Sequence, residues 1–473
     1  MPFRDRYDLP LSSASALAME RYVEGIDRTL AGNAGADRCL EEAVAADEGF
    51  ALAQIALARS EQFRGLIPQA RERAARARAL TDGVTPREQR HVETIATAIE
   101  QGGGPVALAA VKEHIAQYPR DAFVLSQASG VYGLIGFSGR QDRNEEQYAL
   151  LDGVVDAYGD DWWFLSAYGF ACTELFRVEE GRRLVERSLQ IYDRNAHGAH
   201  ALGHVFYETG DAAGGVAFLD PWIATYDRTA QLHGHLSWHL ALFELAAGNA
   251  GRVMELYERN IGPRGAQSAP LGILADSASL LWRCDLYAWG SRGRSLRPEG
   301  VGEPSGLALE RSEGFPNSEA SQGHSLRWDE VRDLAARAFP RPGITFADVH
   351  AALAYAAARD QELLDRLTAG LRERAEEGKL PAGEGVVSLV QGIAAFARKD
   401  YDETVRQLEP VADQVIRIGG SHAQREVFED TLLEAYLRTG RDAQAETLLR
   451  ERLERRPSSR DVQWLERARG EVI

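Results

Sequence analysis

Six of the eleven histidines in this 473-residue chain fall between positions 197 and 239: His197, His200, His204, His233, His235 and His239. His200 and His204 are four residues apart, and so are His235 and His239. On a helix, such pairs share one face, with Cβ atoms about 5–6 Å apart. Thirty-five residues separate the first pair from the second (200 to 235, 204 to 239). If 35 residues is one structural repeat, the four imidazoles converge on a single patch. Neutral imidazoles so placed can ligate a transition metal, or act as general acids and bases near physiological pH. They can equally be satisfied core histidines. An HxxxH spacing alone carries little weight, because the glutamate of HExxH is absent: Ala201-Leu202-Gly203 and Leu236-Ser237-Trp238 fill the gaps. Glu208 extends the first stripe by one turn, and Trp238 flanks the second.

The elements that must position these side chains are helices. Apolar residues recur at three- and four-residue spacing, as in Leu17…Val23…Ile26…Leu30 and Val386…Leu389…Ile393…Phe396, and alternating strand patterns are nearly missing. Turns around Gly210, Gly248 and Gly440 can be laid over one another, with a weaker copy at Lys399. Their spacing, with Phe176 to Gly210, is 34–41 residues, near that of tetratricopeptide-like helix pairs. The expectation is an all-α, α-α superhelix of degenerate antiparallel pairs curved around a concave groove. From Gly290 to Ser325, 17 of 36 residues are Gly, Ser or Pro. This stretch reads as a loop or linker (290–325) between an N-terminal array (1–289) with the histidines and a C-terminal array (326–473).

Further polar residues stand in helical contexts. Asp276 and Arg283 are two turns apart on one face, and His350 follows Asp348 near the start of a helix. Ser421, Gln424 and Arg425 follow a Gly-Gly turn, where Ser421 reads as an N-cap whose neighbouring amides could hold an anion. No Walker loop, GxGxxG or GxSxG elbow appears.

Composition narrows the partners. Lys+Arg number 54 against 71 Asp+Glu, a formal charge of −17, which argues against nucleic acid and anionic membranes. Only Lys112, Lys379 and Lys399 are lysines, and the remaining basic residues are arginine, a bias in keeping with a high-GC bacterial source. Three scattered cysteines without a CxxC, no apolar leader and no membrane span place the chain in the cytoplasm.

The blocks His200–Gly210, His235–Leu242, Asp276…Arg283, Phe346–His350 and Gly419–Phe428 resemble the tetratricopeptide repeat protein 38 family, over roughly 160–460. That resemblance implies a helical-repeat fold and no settled activity. Two functions stay open. One is a binding protein for a peptide or small molecule, with His200, His235, Glu208, Trp238, Asp276, Arg283, Gln424 and Arg425 lining the groove. The other is an enzyme, metal-dependent or not, with His204, His239 and His350 as catalytic groups beside Asp276. A transition metal is the cofactor these residues would accept, though nothing in the sequence requires one, and oligomerisation is left open.

Overall fold

A computed structural model describes residues 3–292 and 319–471, and among them the chain is built of helices, with one isolated β-bridge between Arg4 and Pro10. The helices run as antiparallel pairs. Trp162–Glu174 packs on Val178–Ile191, Ala196–Glu208 precedes Ala212–Ala224, and His233–Ala246 precedes Ala250–Leu256. The expected α-α superhelix is therefore the fold. The first helix of each pair is the buried one. Eleven of the thirteen residues of Trp162–Glu174 are buried, against three of the fourteen in Val178–Ile191. That difference follows from sequence: WWFLSAYGFACTE is apolar on all sides, whereas VEEGRRLVERSLQI has one narrow apolar stripe.

Each pair turns through a residue in the left-handed region. Gly210 (φ 67°), Gly248 (φ 80°) and Gly440 (φ 69°) do so at the three overlaid turns, and Lys399 (φ 65°) at the weaker copy. Phe176 (φ 58°) and Arg359 (φ 59°) hold the same conformation without being glycine. At Gly210 the requirement is double, because a Cβ there would collide with the carbonyl oxygen of Pro457 from the C-terminal region.

Most of the Gly290–Ser325 stretch, 293–318, lies outside the described residues. At its edges helix replaces the expected loop: Pro270–Arg292 runs into it and Glu319–Ala338 begins within it. Hydrophobic packing continues across it. One core runs from Ala196 through Trp238, Leu281 and Trp328 to Leu433 and Trp464, while a second gathers residues from Tyr7 to Cys172.

The helix His422–Arg438 is the element that bears on the histidines. Fourteen of its seventeen residues are buried. It touches two of the first helices through Tyr207–Glu426, His422–Glu208 and Trp282–Thr431 hydrogen bonds. The chain's own C-terminal region thus fills the groove beside the histidine-bearing helices.

Candidate metal centre

His200 and His204 project from Ala196–Glu208, and His235 and His239 from His233–Ala246. The 35-residue offset sets the pairs side by side: ring centroids are 4.9 Å apart for His200 and His235, and 4.5 Å for His204 and His239. All four residues present ring nitrogens within 4.8 Å of one another. His204 and His239 are fully buried, whereas His235 keeps 12% of its side chain exposed.

His235 Nδ1 lies 3.0 and 3.1 Å from the two carboxylate oxygens of Asp276 and so donates to them, leaving a lone pair on Nε2. That Nε2 is 3.1 Å from Nε2 of His200, which is in turn 3.0 Å from Nε2 of His204. A ring nitrogen holds one proton, so one proton at His200 Nε2 cannot give both contacts a full hydrogen bond. His204 Nδ1 faces Glu174 Oε1 at 3.6 Å, and neither ring nitrogen of His239 has a partner. Burial, then the neighbouring imidazoles, hold His200, His204 and His239 well below the usual histidine range, so all three rings are neutral at pH 7.

Aromatic rings wall the cluster. Phe170 stacks on His200 at 5.5 Å and meets His204 edge-on at 4.9 Å. Trp238 stacks on His235 at 5.2 Å, with its Nε1 donating to Ser279 Oγ.

Other anticipated residues take supporting places. Asp276 is the carboxylate behind His235, as described. Glu208 accepts from His422 Nδ1 at 2.8 Å; burial pushes the His422 imidazole down, but this carboxylate, with those of Glu426 and Glu429, outweighs it and raises the value above the ordinary one. Gln424 closes a capping box with Ser421 and donates to Tyr132 at 3.3 Å. The free amide of His422 is taken by Glu174 at 3.0 Å, which occupies the place anticipated for an external anion. Arg425 donates to the Gly420 carbonyl and lies 3.9 Å from Glu174. Arg283 donates to the Ala423 carbonyl at 2.6 Å and stands 3.8 Å from Asp430. His350 is not in the group of four: its Nδ1 bonds the Phe346 carbonyl at 2.7 Å, and its ring packs between Phe346 and Phe428. The expected closure of the site by His350 is therefore absent from this geometry, because its own helix supplies its partner.

Glu174 was missed from sequence, although a signal existed. It ends one first helix as Glu208 ends the next, 34 residues on, so the carboxylate recurs at an equivalent repeat position. A second buried cluster, His91, His114 and Asp121, was missed as well. There, His91 Nδ1 (2.9 Å) and His114 Nε2 (3.0 Å) reach one carboxylate, which Arg87 also approaches at 3.2 Å. The far ring nitrogens of that cluster, His91 Nε2 and His114 Nδ1, have no hydrogen-bond partner among the described residues, and neither has Arg87 Nε.

No family model matches the chain. Along 100% of its length it is similar to a solved structure of a monomeric IFIT1 mutant with Gppp-AAAA, covering 98% of that chain at 10% sequence identity and a TM-score of 0.43. A likeness that distant carries no argument about ligands. Among the described residues no helix is long and apolar enough to cross a membrane.

Proposed function

We propose that the chain is a helical-repeat metal-binding protein, holding one divalent transition-metal ion among His200, His204, His235 and His239. The observation that carries this reading is the convergence of three Nε2 atoms at 3.0–3.1 Å without the protons to bond them all. Nitrogen ligands at about 2.0–2.1 Å from a tetrahedral zinc stand about 3.3 Å apart, close to what these atoms already adopt. Asp276 behind His235 supplies the carboxylate–histidine support that fixes tautomer and ring orientation at metal sites, and Glu174 stands in the corresponding place behind His204. An all-imidazole set suits zinc, copper, iron or nickel better than magnesium or calcium.

The same spacing leaves no room for an organic group between the rings, which favours an ion over a peptide there. A small polar molecule would approach from the side where His235 keeps its exposure. That exposure also supports a second reading, a metal-dependent enzyme, since catalytic sites keep one position open to substrate. Residues 1–289 and 326–473 are then two arrays of one packed body. A cytoplasmic setting, suggested by the unpaired Cys39, Cys172 and Cys284, and membership of the tetratricopeptide repeat protein 38 family belong to the same proposal. The net charge of −17 favours a cation or neutral molecule over nucleic acid.

Elemental analysis of protein purified without chelator or affinity metal tests the reading. About one transition-metal ion per chain is expected, lost in a His204→Ala, His239→Ala double variant that still shows a native helical spectrum. Metal-free wild-type protein that takes up no zinc, iron, copper or nickel on dialysis would refute it.

A further inference from the structure

Arg59 stands on the first helix of an early pair, Ala51–Phe63, and its surroundings differ from those of the ion-paired arginines Arg452, Arg456 and Arg87, and from those of buried Arg143, which is held by the Ile416 and Gly420 carbonyls. Arg452 is held by Glu426, Asp430 and Asp461, Arg456 by Glu426, and Arg87 by Asp121. Among the described residues, no carboxylate lies within ion-pair distance of Arg59. Two neutral amides hold it instead: Nε donates to Gln127 Oε1, and Nη1 donates to Gln62 Oε1 at 2.6 Å. The guanidinium carbon lies 3.8 Å from the centre of the Phe63 ring.

These partners orient the group without neutralising it. Gln127 is itself buried, and its Nε2 donates to the Phe123 carbonyl at 2.8 Å and to Ser126 Oγ at 3.1 Å, so its oxygen is committed to Arg59. Nη2 has no hydrogen bond among the described residues and is not sealed from solvent. A partly buried cation without a counter-charge is costly, and burial pushes Arg59 down to about 10. A glutamate at position 62 or 127 would remove that cost with nearly the same shape. Glutamine at both leaves a flat, stacked fork with one edge free, the arrangement that takes an oxyanion in paired hydrogen bonds.

We infer that Arg59, clamped by Gln62, Gln127 and Phe63, is a binding site for a small oxyanion, a phosphate or carboxylate group received on its Nη edge. This site is separate from the histidine cluster and does not depend on that reading.

The test uses the whole protein, titrated with inorganic phosphate and, in a second arm, with acetate. Thermal denaturation and the ¹H–¹⁵N resonance of Arg59 Nε, assigned by its loss in Arg59→Lys, are followed. At least one anion should raise the melting temperature and shift that resonance. Phosphate alone would identify a phosphate ligand, and acetate a carboxylate. Gln127→Glu supplies the missing carboxylate from within. It should fold at least as stably as the wild type and weaken the anion response about tenfold or more, since hydrogen bonds to charged groups are each worth about 1.5–3 kcal/mol. A Gln127→Glu protein that responds like the wild type, or a wild type indifferent to both anions at about 10 mM, overturns the proposal.

Discussion

Asp276 and Asp348 are both nearly sealed from solvent, yet they do opposite things. Asp276 has an imidazole proton to accept, and replacing it with asparagine would remove the charge that holds His235 in its Nδ1–H tautomer. Asp276→Asn should therefore weaken metal affinity by about 10–100-fold, read by chelator competition, while the helical content is unchanged. An affinity equal to the wild type would detach Asp276 from the site. Asp348 accepts from the Gly343 amide at 3.3 Å, and burial, outweighing that amide and the charge of Arg374, pushes its carboxyl up to about 7. The folded state thus prefers the neutral acid. The stability this gives is complete below the ordinary value of 3.8 and is lost as pH rises towards 7. Asp348→Asn should accordingly stabilise the protein by about 2–4 kcal/mol at pH 8 and by little near pH 4, in denaturant titrations at the two pH values. Equal effects at both would remove titration as the cause.

The repeat turns show what sequence discloses about elements and what it withholds. Gly210 and Gly248 read alike in the chain and share a left-handed backbone. A Cβ at Gly248 meets nothing within 4 Å, whereas at Gly210 it meets the Pro457 carbonyl. Gly248→Ala should cost about 1 kcal/mol from backbone strain alone. Gly210→Ala should cost at least about 2 kcal/mol, because the C-terminal region must also shift. Matching losses in urea titrations would mean that the Pro457 contact does not constrain the turn. Helix pairing, the 35-residue register and the meeting of His200 with His235 were legible because each rests on periodicity within neighbouring repeats. Glu174 supporting His204 was legible in principle, through its equivalence to Glu208. The partners joined across the groove were not: Glu208 with His422, and Tyr207 with Glu426, lie more than 200 residues apart in the chain, and no local pattern encodes which helix fills which groove.

Across the whole molecule, the hydrophobic core from Ala196 to Ala468 draws on both sides of 293–318. Neither side can bury its share alone, since Trp282 packs against Trp328 and Phe396. Fragments 1–292 and 319–473, expressed together, should co-purify as a stable complex, while 319–473 expressed alone should aggregate or stay unfolded. A soluble, cooperatively melting 319–473 fragment would show two independent bodies. The helix His422–Arg438 adds a matter of timing. Its amide at His422 and the side chain of Arg425 steady Glu174, the carboxylate behind His204. A ribosome has released all four imidazoles into the cell well before it makes that helix. The growing chain therefore displays its histidines before it can hold them in register, and the carboxylate behind His204 gains its full support only once Arg425 has been made.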